Sequence, residues 1–179
     1  MTIELRRFTH QDVDAPLRQL LLGVHAEAYA DQMDDPFNHR FAWFIDHWSK
    51  NPGWSCVVAY DDGEAVGFSY GAPATSGREW WRESWTPPEG TVTSTFSVSE
   101  LMLRPRWRKT GTAEVLHTAL LDQRPEALAV LLVDTTHPKV QDLYERWGYR
   151  KVGNRQPFAD SPMFAVMVKQ LTADSTVSA

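Results

Sequence analysis

Cysteine is almost missing: Cys56 stands alone among 179 residues, which rules out an internal disulfide framework and fits a reducing compartment. No run approaches the ~20 apolar residues a membrane span needs, and the opening MTIELRRFTH holds no apolar stretch of signal-peptide length. A cytoplasmic protein with no membrane partner is the expectation. Positive charge is scarce as well. With 18 Lys and Arg against 23 Asp and Glu the net charge is -5, the wrong sign for a general nucleic-acid binder. The six histidines are dispersed, without H-E-x-x-H or paired-cysteine spacing, so no metal is expected. Neither is there a G-x-x-x-x-G-K-[ST], which counts against nucleotide hydrolysis of the P-loop kind.

What remains is ordinary globular material, 42% hydrophobic and 23% charged, long enough to bury a core in one domain. No repeat or linker divides it, so a single domain is expected over residues 1–172, with 173–179 a frayed tail.

In chain order, residues 3–8 alternate as a strand. Pro16 opens a helix in which Leu17, Leu20, Leu21, Val24 and Ala28 share one face. Residues 37–50 read as a second helix, with Phe41, Phe44, Ile45 and Trp48 on one side and Asn51-Pro52-Gly53 as its stop. Residues 54–60 and 64–70 form a hairpin around Asp61-Asp62-Gly63. A long connection, 71–93, carries Glu79-Trp80-Trp81-Arg82-Glu83-Ser84-Trp85 and is of a length usually functional or mobile. Residues 127–133 are continuously apolar, as in a strand covered on both faces. Pro138 then starts a helix with Val140, Leu143, Tyr144 and Trp147 on one face, closed by Gly148. Residues 149–152 and 163–171 read as final strands.

The stretch that organises the chain is 94–121, a strand that passes through a basic loop into a helix. Phe96 and Val98 are apolar in one alternation phase, Leu101 and Leu103 in the other, and the slip at Ser99-Glu100 suggests a β-bulge. After it come Arg104, Arg106, Arg108 and Lys109, four cations within six positions of an acidic chain. Arg108, Lys109, Thr110, Gly111, Thr112 and Ala113 lead into the helix, and small residues there let a ligand approach the first-turn N–H groups. A compact anion such as a pyrophosphate is expected. The alternative is a solvated loop before an ordinary helix.

Strand, R-x-x-G-x-A loop and helix together resemble the acetyl-CoA-binding core of the GNAT superfamily of N-acetyltransferases, with Arg108, Gly111 and Ala113 at the defined positions. The segment His137-Pro138-Lys139-Val140-Gln141-Asp142-Leu143-Tyr144-Glu145-Arg146-Trp147-Gly148-Tyr149 resembles the family's second cofactor motif. Leu143, Tyr144, Glu145, Gly148 and Tyr149 match it. His137 stands where Asn is usual and Val140 where Ala is usual. The resemblance covers nearly the whole chain and is weakest over 71–93. It implies an α/β fold, a mixed central sheet flanked by helices, and transfer of an acetyl group from acetyl-CoA to a primary amine by direct attack.

Such chemistry must take a proton from an ammonium, stabilise an oxyanion and protonate a leaving thiolate. Glu100, beside the suspected bulge, is placed as general base through water; its other reading is a strand-end glutamate that meets solvent or an arginine. The resemblance implies that Tyr144 protonates the sulfur, whereas its place on the apolar helix face equally suits plain core. Backbone amides near Leu101, Met102 and Leu103 are the oxyanion candidates, and His137 stands at a cofactor position. For the acceptor, a small-molecule amine, the candidates are Tyr29 and Asp35 near the acidic junction of the first helices, together with Trp80 and Trp81. The Trp80, Trp81, Trp85 cluster has three readings: a lid over the acceptor, a homodimer contact, or a latch onto the domain's own core.

Two other functions compete. An acyl-CoA sensor would keep the cradle without turnover. A serine hydrolase would use Ser69 in Gly67-Phe68-Ser69-Tyr70-Gly71, with Asp134 and His137 following in hydrolase order. That motif needs a strand-to-helix elbow, and Ser69 falls inside a hairpin arm.

Overall fold

The computed structural model describes residues 2–171; the expected tail at 173–179 lies outside them. The strands are β1 (Ile3–Thr9), β2 (Ser55–Asp61), β3 (Glu64–Pro73), β4 (Thr95–Leu103), β5 (Leu128–Asp134), β6 (Arg150–Arg155) and β7 (Phe164–Gln170). The α-helices are α1 (Ala15–Ala28), α2 (Phe41–Trp48), α3 (Thr112–Leu121) and α4 (Pro138–Arg146). One seven-stranded mixed sheet runs in the order β1-β2-β3-β4-β5-β7-β6. The chain falls into two compact units: residues up to Ala72 with Val98–Asp122, and Pro73–Ser97 with the residues from Gln123 on.

In the first unit, Asp14 caps α1 by accepting the Leu17 N–H at 2.9 Å, with proline in the first turn. The hairpin closes on two residues with positive φ, Asp62 at 50° and Gly63 at 82°, the geometry that matches strand twist. Cys56, Val58 and Tyr60 of β2 and Phe68, Tyr70 and Ala72 of β3 pack with Leu17, Leu21 and Val24 of α1 and Phe41 and Ile45 of α2. Val57 and Ala59, alternate residues of β2, are equally buried, and α3 packs against β2. Burial on both faces is why this strand shows no polar alternation.

The second helix is shorter than its apolar spacing suggests. Residues 38–40 form a 3-10 turn before α2, because Asp35 accepts the Phe37 N–H at 2.9 Å and the Asn38 amide donates to the Gln32 carbonyl at 2.8 Å. Side chains that bond the local backbone compete with the α-helix in this way.

The β3–β4 pair carries the irregularity expected near Ser99-Glu100. The Ala74 N–H donates to Thr95 O, and the Arg104 N–H donates to Val66 O. Between these bonds β4 takes nine steps, Thr95 to Arg104, against eight on β3, Val66 to Ala74, so β4 holds one extra residue. Gly67 lies against the same stretch, where an added Cβ would sit 2.6 Å from the Met102 carbonyl oxygen.

In the second unit, β4 pairs with β5 in parallel over Thr95–Ser97, and β5 pairs with β7 along its whole length. The edge strand β6 has a register shift between Lys151 and Gly153 and runs to Arg155, past its expected end at 152. Trp81, Leu128, Val130, Val166 and Val168 form the core, with Trp80 and Trp85 packed against it. Among the described residues no helix is long and apolar enough to cross a membrane.

Two stability predictions arise here. Gly67→Ala drives a β-carbon into backbone that cannot yield, and should cost about 1–3 kcal/mol in urea unfolding; an unchanged midpoint would show that β4 moves freely. His25 is buried, its ring stacked 4.0 Å from Phe41 and 5.0 Å from Tyr29, and desolvation pushes its pKa down to about 4. Unfolded, it takes up a proton near pH 6.5, so its contribution is complete above that pH and fades as pH falls toward 4. The stability of the wild type relative to His25→Leu should drop by roughly 3 kcal/mol between pH 7 and 4. Parallel stability-versus-pH curves would refute this.

Candidate active site

Helix α3 begins without a side-chain cap. Its N-cap residue is Gly111, at φ 86°, and an added Cβ there would meet nothing within 4 Å. The N–H groups of the first turn therefore face open space with the positive end of the helix dipole behind them. Lys109 also has positive φ, 61°. The loop holds this shape through contacts made outside the helix terminus. Thr110 Oγ1 donates to the Trp107 carbonyl at 2.6 Å and lies 2.8 Å from Thr112 Oγ1. Trp107 is buried and donates its indole N–H to Asp61 at 3.0 Å. The side chain of Thr112 is buried, so this residue offers a ligand its main chain. Ala113 is half-buried.

The four cations of the loop do not act together. Arg104 donates to the Ala65 carbonyl at 2.7 Å and pairs with Glu27. Arg108 donates to the Ala28 carbonyl at 2.6 Å, where the end of α1 presents unsatisfied carbonyls. Arg106 lies over the Trp107 ring, 5.1 Å from its centroid. Lys109 is exposed. Two of the four positive charges thus brace the loop against α1, and Arg106 and Lys109 supply the local field.

On β4, Met102 and Leu103 are buried and Leu101 is half-buried. Glu100 is half-buried, with no hydrogen-bond or ion-pair partner recorded for its carboxyl among the described residues, and desolvation pushes its pKa up to about 8. An unpaired carboxyl poised near neutrality can accept a proton and later release it. Of the two partners in the alternative reading, Arg104 is bound to Glu27, and the half-buried carboxyl keeps some contact with solvent. Ser69 is fully buried within β3 and donates its hydroxyl to the Glu100 carbonyl at 2.8 Å. A side chain enclosed inside a strand is no nucleophile elbow, and the hydrolase reading loses its main residue.

In the second unit, α4 ends in a Schellman motif. Gly148, at φ 92°, donates to Glu145 O, and the Tyr149 N–H donates to Tyr144 O. The motif brings Tyr144 edge-on to Trp147 at 5.3 Å and to Tyr149 at 5.6 Å. Tyr144 is buried at the margin of this cluster. His137 is the N-cap residue of α4 and makes no capping bond; its ring is exposed, 3.9 Å from Asp134.

The acceptor candidates scatter. Tyr29 ends α1, stacked on His25, and the Asp35 carboxylate is occupied by the Phe37 N–H. Trp81 is 2% exposed and donates its indole N–H to Thr95 at 3.0 Å, while Trp80 packs against the same core. Trp81 is therefore a latch onto its own unit and has no free face for an acceptor. An open cleft of about 490 Å³ in this unit is lined by Pro73, Glu79, Thr93, Ser94, Pro125 and Glu126 among others. Arg82 and Arg124 neutralise its two carboxylates, and apart from Thr95 at the start of β4 it contains none of the loop or β4 residues above. Among the described residues no group of three His, Cys, Asp or Glu is placed to hold a metal ion.

Residues 16–149 match the model of the acetyltransferase (GNAT) family. No curated protein matches the chain. Among solved structures, a Desulfovibrio desulfuricans protein assigned to the GNAT family superposes with a TM-score of 0.68 at 13% identity, over 96% of this chain and 100% of that one. The PaiA N-acetyltransferase of Thermoplasma acidophilum, solved with coenzyme A, gives 0.62 at 13% identity over 95% and 99%. An aminoglycoside 6'-acetyltransferase type Ii gives 0.66 at 20% identity over 95% and 98%.

Proposed function

Because this chain belongs to the GNAT family of acetyltransferases, we propose that it is a cytoplasmic N-acetyltransferase that moves the acetyl group of acetyl-CoA to the primary amine of a small molecule. The observation that carries the proposal is the uncapped start of α3, with Gly111 and Lys109 at positive φ. The residues fit the co-substrate there: a pyrophosphate needs several convergent N–H donors and room to approach them, and a Cβ at Gly111 would meet only open space. Acetyl-CoA supplies an activated thioester.

The chain's own residues supply the rest. Main-chain N–H groups at the start of α3, with Lys109, hold the pyrophosphate. Glu100 takes the proton of the incoming ammonium, a transfer suited to its raised pKa. The free amine then forms the C–N bond as the C–S bond breaks, and its nitrogen sheds a second proton to solvent. Amides around Leu101, Met102 and Leu103 support the oxyanion; protonation of the thiolate is the role that the family resemblance gives to Tyr144. No covalent enzyme intermediate is required. The small-molecule acceptor is favoured by the acidic net charge of the protein, which attracts free cationic amines.

Gly111→Asp tests the cradle. The new carboxylate lies at an N-cap position, where it bonds the first-turn N–H groups itself and repels the pyrophosphate. Acetyl-CoA at 100 times its dissociation constant should raise the thermal midpoint of the wild type by roughly 5–10 °C and leave that of the variant unmoved. If the wild type also fails to shift, the proposed function is wrong. If it shifts, release of coenzyme A thiol across a panel of amines identifies the acceptor.

A further inference from the structure

A second group on the same face of the sheet meets the requirements of a partner for Glu100. Tyr70 of β3 is fully buried, and its hydroxyl has no hydrogen-bond partner among the described residues. Buried hydroxyls are seldom left in that state. Neighbouring Trp54, its ring centroid 5.6 Å from that of Tyr70, has an indole N–H buried in the same condition. Phenylalanine would fill the Tyr70 position without that cost, so packing alone does not account for the hydroxyl.

Placement puts Tyr70 on the same side of the sheet as Glu100. Tyr70 and Met102 belong to one apolar cluster, and Glu100 precedes Met102 by two residues, which puts their side chains on one face of β4. The Ser69 bond to the Glu100 carbonyl pins β3 beside β4 at this level. The phenol is held well above its ordinary pKa by burial and then by the charge of Glu100, with Cys56 a smaller influence. The other ionisable groups near this cluster are otherwise engaged, Tyr29 by stacking on His25. The Cys56 thiol, opposite Tyr70 on β2, is kept protonated by burial; His25 of α1 is neutral; Tyr60 faces Arg6; and Glu27 is paired with Arg104.

We propose that Tyr70 is a positioning residue for Glu100, its hydroxyl donating through one water to the ionised carboxylate and so setting both the direction of the carboxylate and the pH at which it can accept a proton. The role rests on the acetyltransferase reading above for its purpose but not for its detection. Without the donor, the ionised form loses a hydrogen bond and the carboxyl becomes harder to ionise.

The test is a ¹³C NMR titration of the Glu100 side-chain carboxyl in the wild type and in Tyr70→Phe, which keeps the ring and removes the hydroxyl. Glu100→Gln assigns the resonance. The Glu100 midpoint should rise by roughly half to one pH unit in Tyr70→Phe, and the acid limb of the activity profile, read as thiol release with an amine from the panel, should move by the same amount. A purely structural role would change the thermal midpoint and leave the titration where it was. Coincident Glu100 midpoints in the two proteins would overturn the proposal. Failure of the acetyltransferase reading would be seen separately, as an absent acetyl-CoA-induced midpoint shift in the wild type, on which the titration does not depend.

Discussion

The first unit depends on keeping one helix terminus open. Most helices satisfy their first N–H groups with a serine, threonine or aspartate at the N-cap, and α1 does so through Asp14. Helix α3 starts on a left-handed glycine and has no such cap. An uncapped terminus frays unless the chain before it is fixed by other means. Here Thr110 is tied to Trp107, Trp107 to Asp61 at the hairpin, and Arg108 to the last turn of α1. The bonds a cap would normally provide are displaced onto three other elements, and the N–H donors stay available. The loop cations make sense on the same terms: Arg104 and Arg108 are structural braces whose partners are Glu27 and a helix-end carbonyl.

Strand β4 leads into the loop that precedes this terminus. Its first residues pair with β5 and are buried on both faces, as Thr95, Phe96, Ser97 and Val98 all show. Past the extra residue the burial loosens at Ser99, Glu100 and Leu101 and tightens again at Met102. A bulge does this because one added residue reverses the facing of the side chains that follow. Gly67 permits it by bringing β3 against the Met102 carbonyl. One strand can therefore belong to the core at both ends and offer a half-buried carboxyl in its middle.

Local signals were legible in the sequence wherever the physics is local. Pro138 and Gly148 bracket α4 because proline fits a helix start and glycine fits the left-handed residue after its end, and the Schellman bonds at Tyr144 and Glu145 follow. Asp62-Gly63 set the hairpin, and the phase slip at Ser99-Glu100 marked the extra residue in β4. The uncapped start of α3 was legible through Gly111. The partners of the cations were not, since nothing near Arg104 in sequence points to Glu27, 77 residues away. Neither was the burial of Trp81, whose bond to Thr95 joins a connecting segment to a strand. The 3-10 turn before α2 was hidden for another reason: its apolar spacing is helical, and only the competing bonds of Asp35 and Asn38 tell against an α-helix.

Two buried groups titrate in ways that oppose each other's effect on stability. His25, held neutral near pH 7, favours the fold as pH rises from about 4 to 6.5. Glu100 has a folded-state pKa of about 8 against 4.5 unfolded, so its contribution is complete below pH 4.5 and is lost as pH rises toward 8. His25 is explained by its aromatic stack, a packing gain that compensates for the lost proton. Glu100 has no such return: no partner of its carboxyl is recorded among the described residues, and a glutamine would fill the space without a charge to desolvate. A carboxyl whose desolvation is uncompensated is a candidate for proton transfer. That asymmetry between a buried histidine and a half-buried glutamate distinguishes Glu100 from the other ionisable groups of its unit.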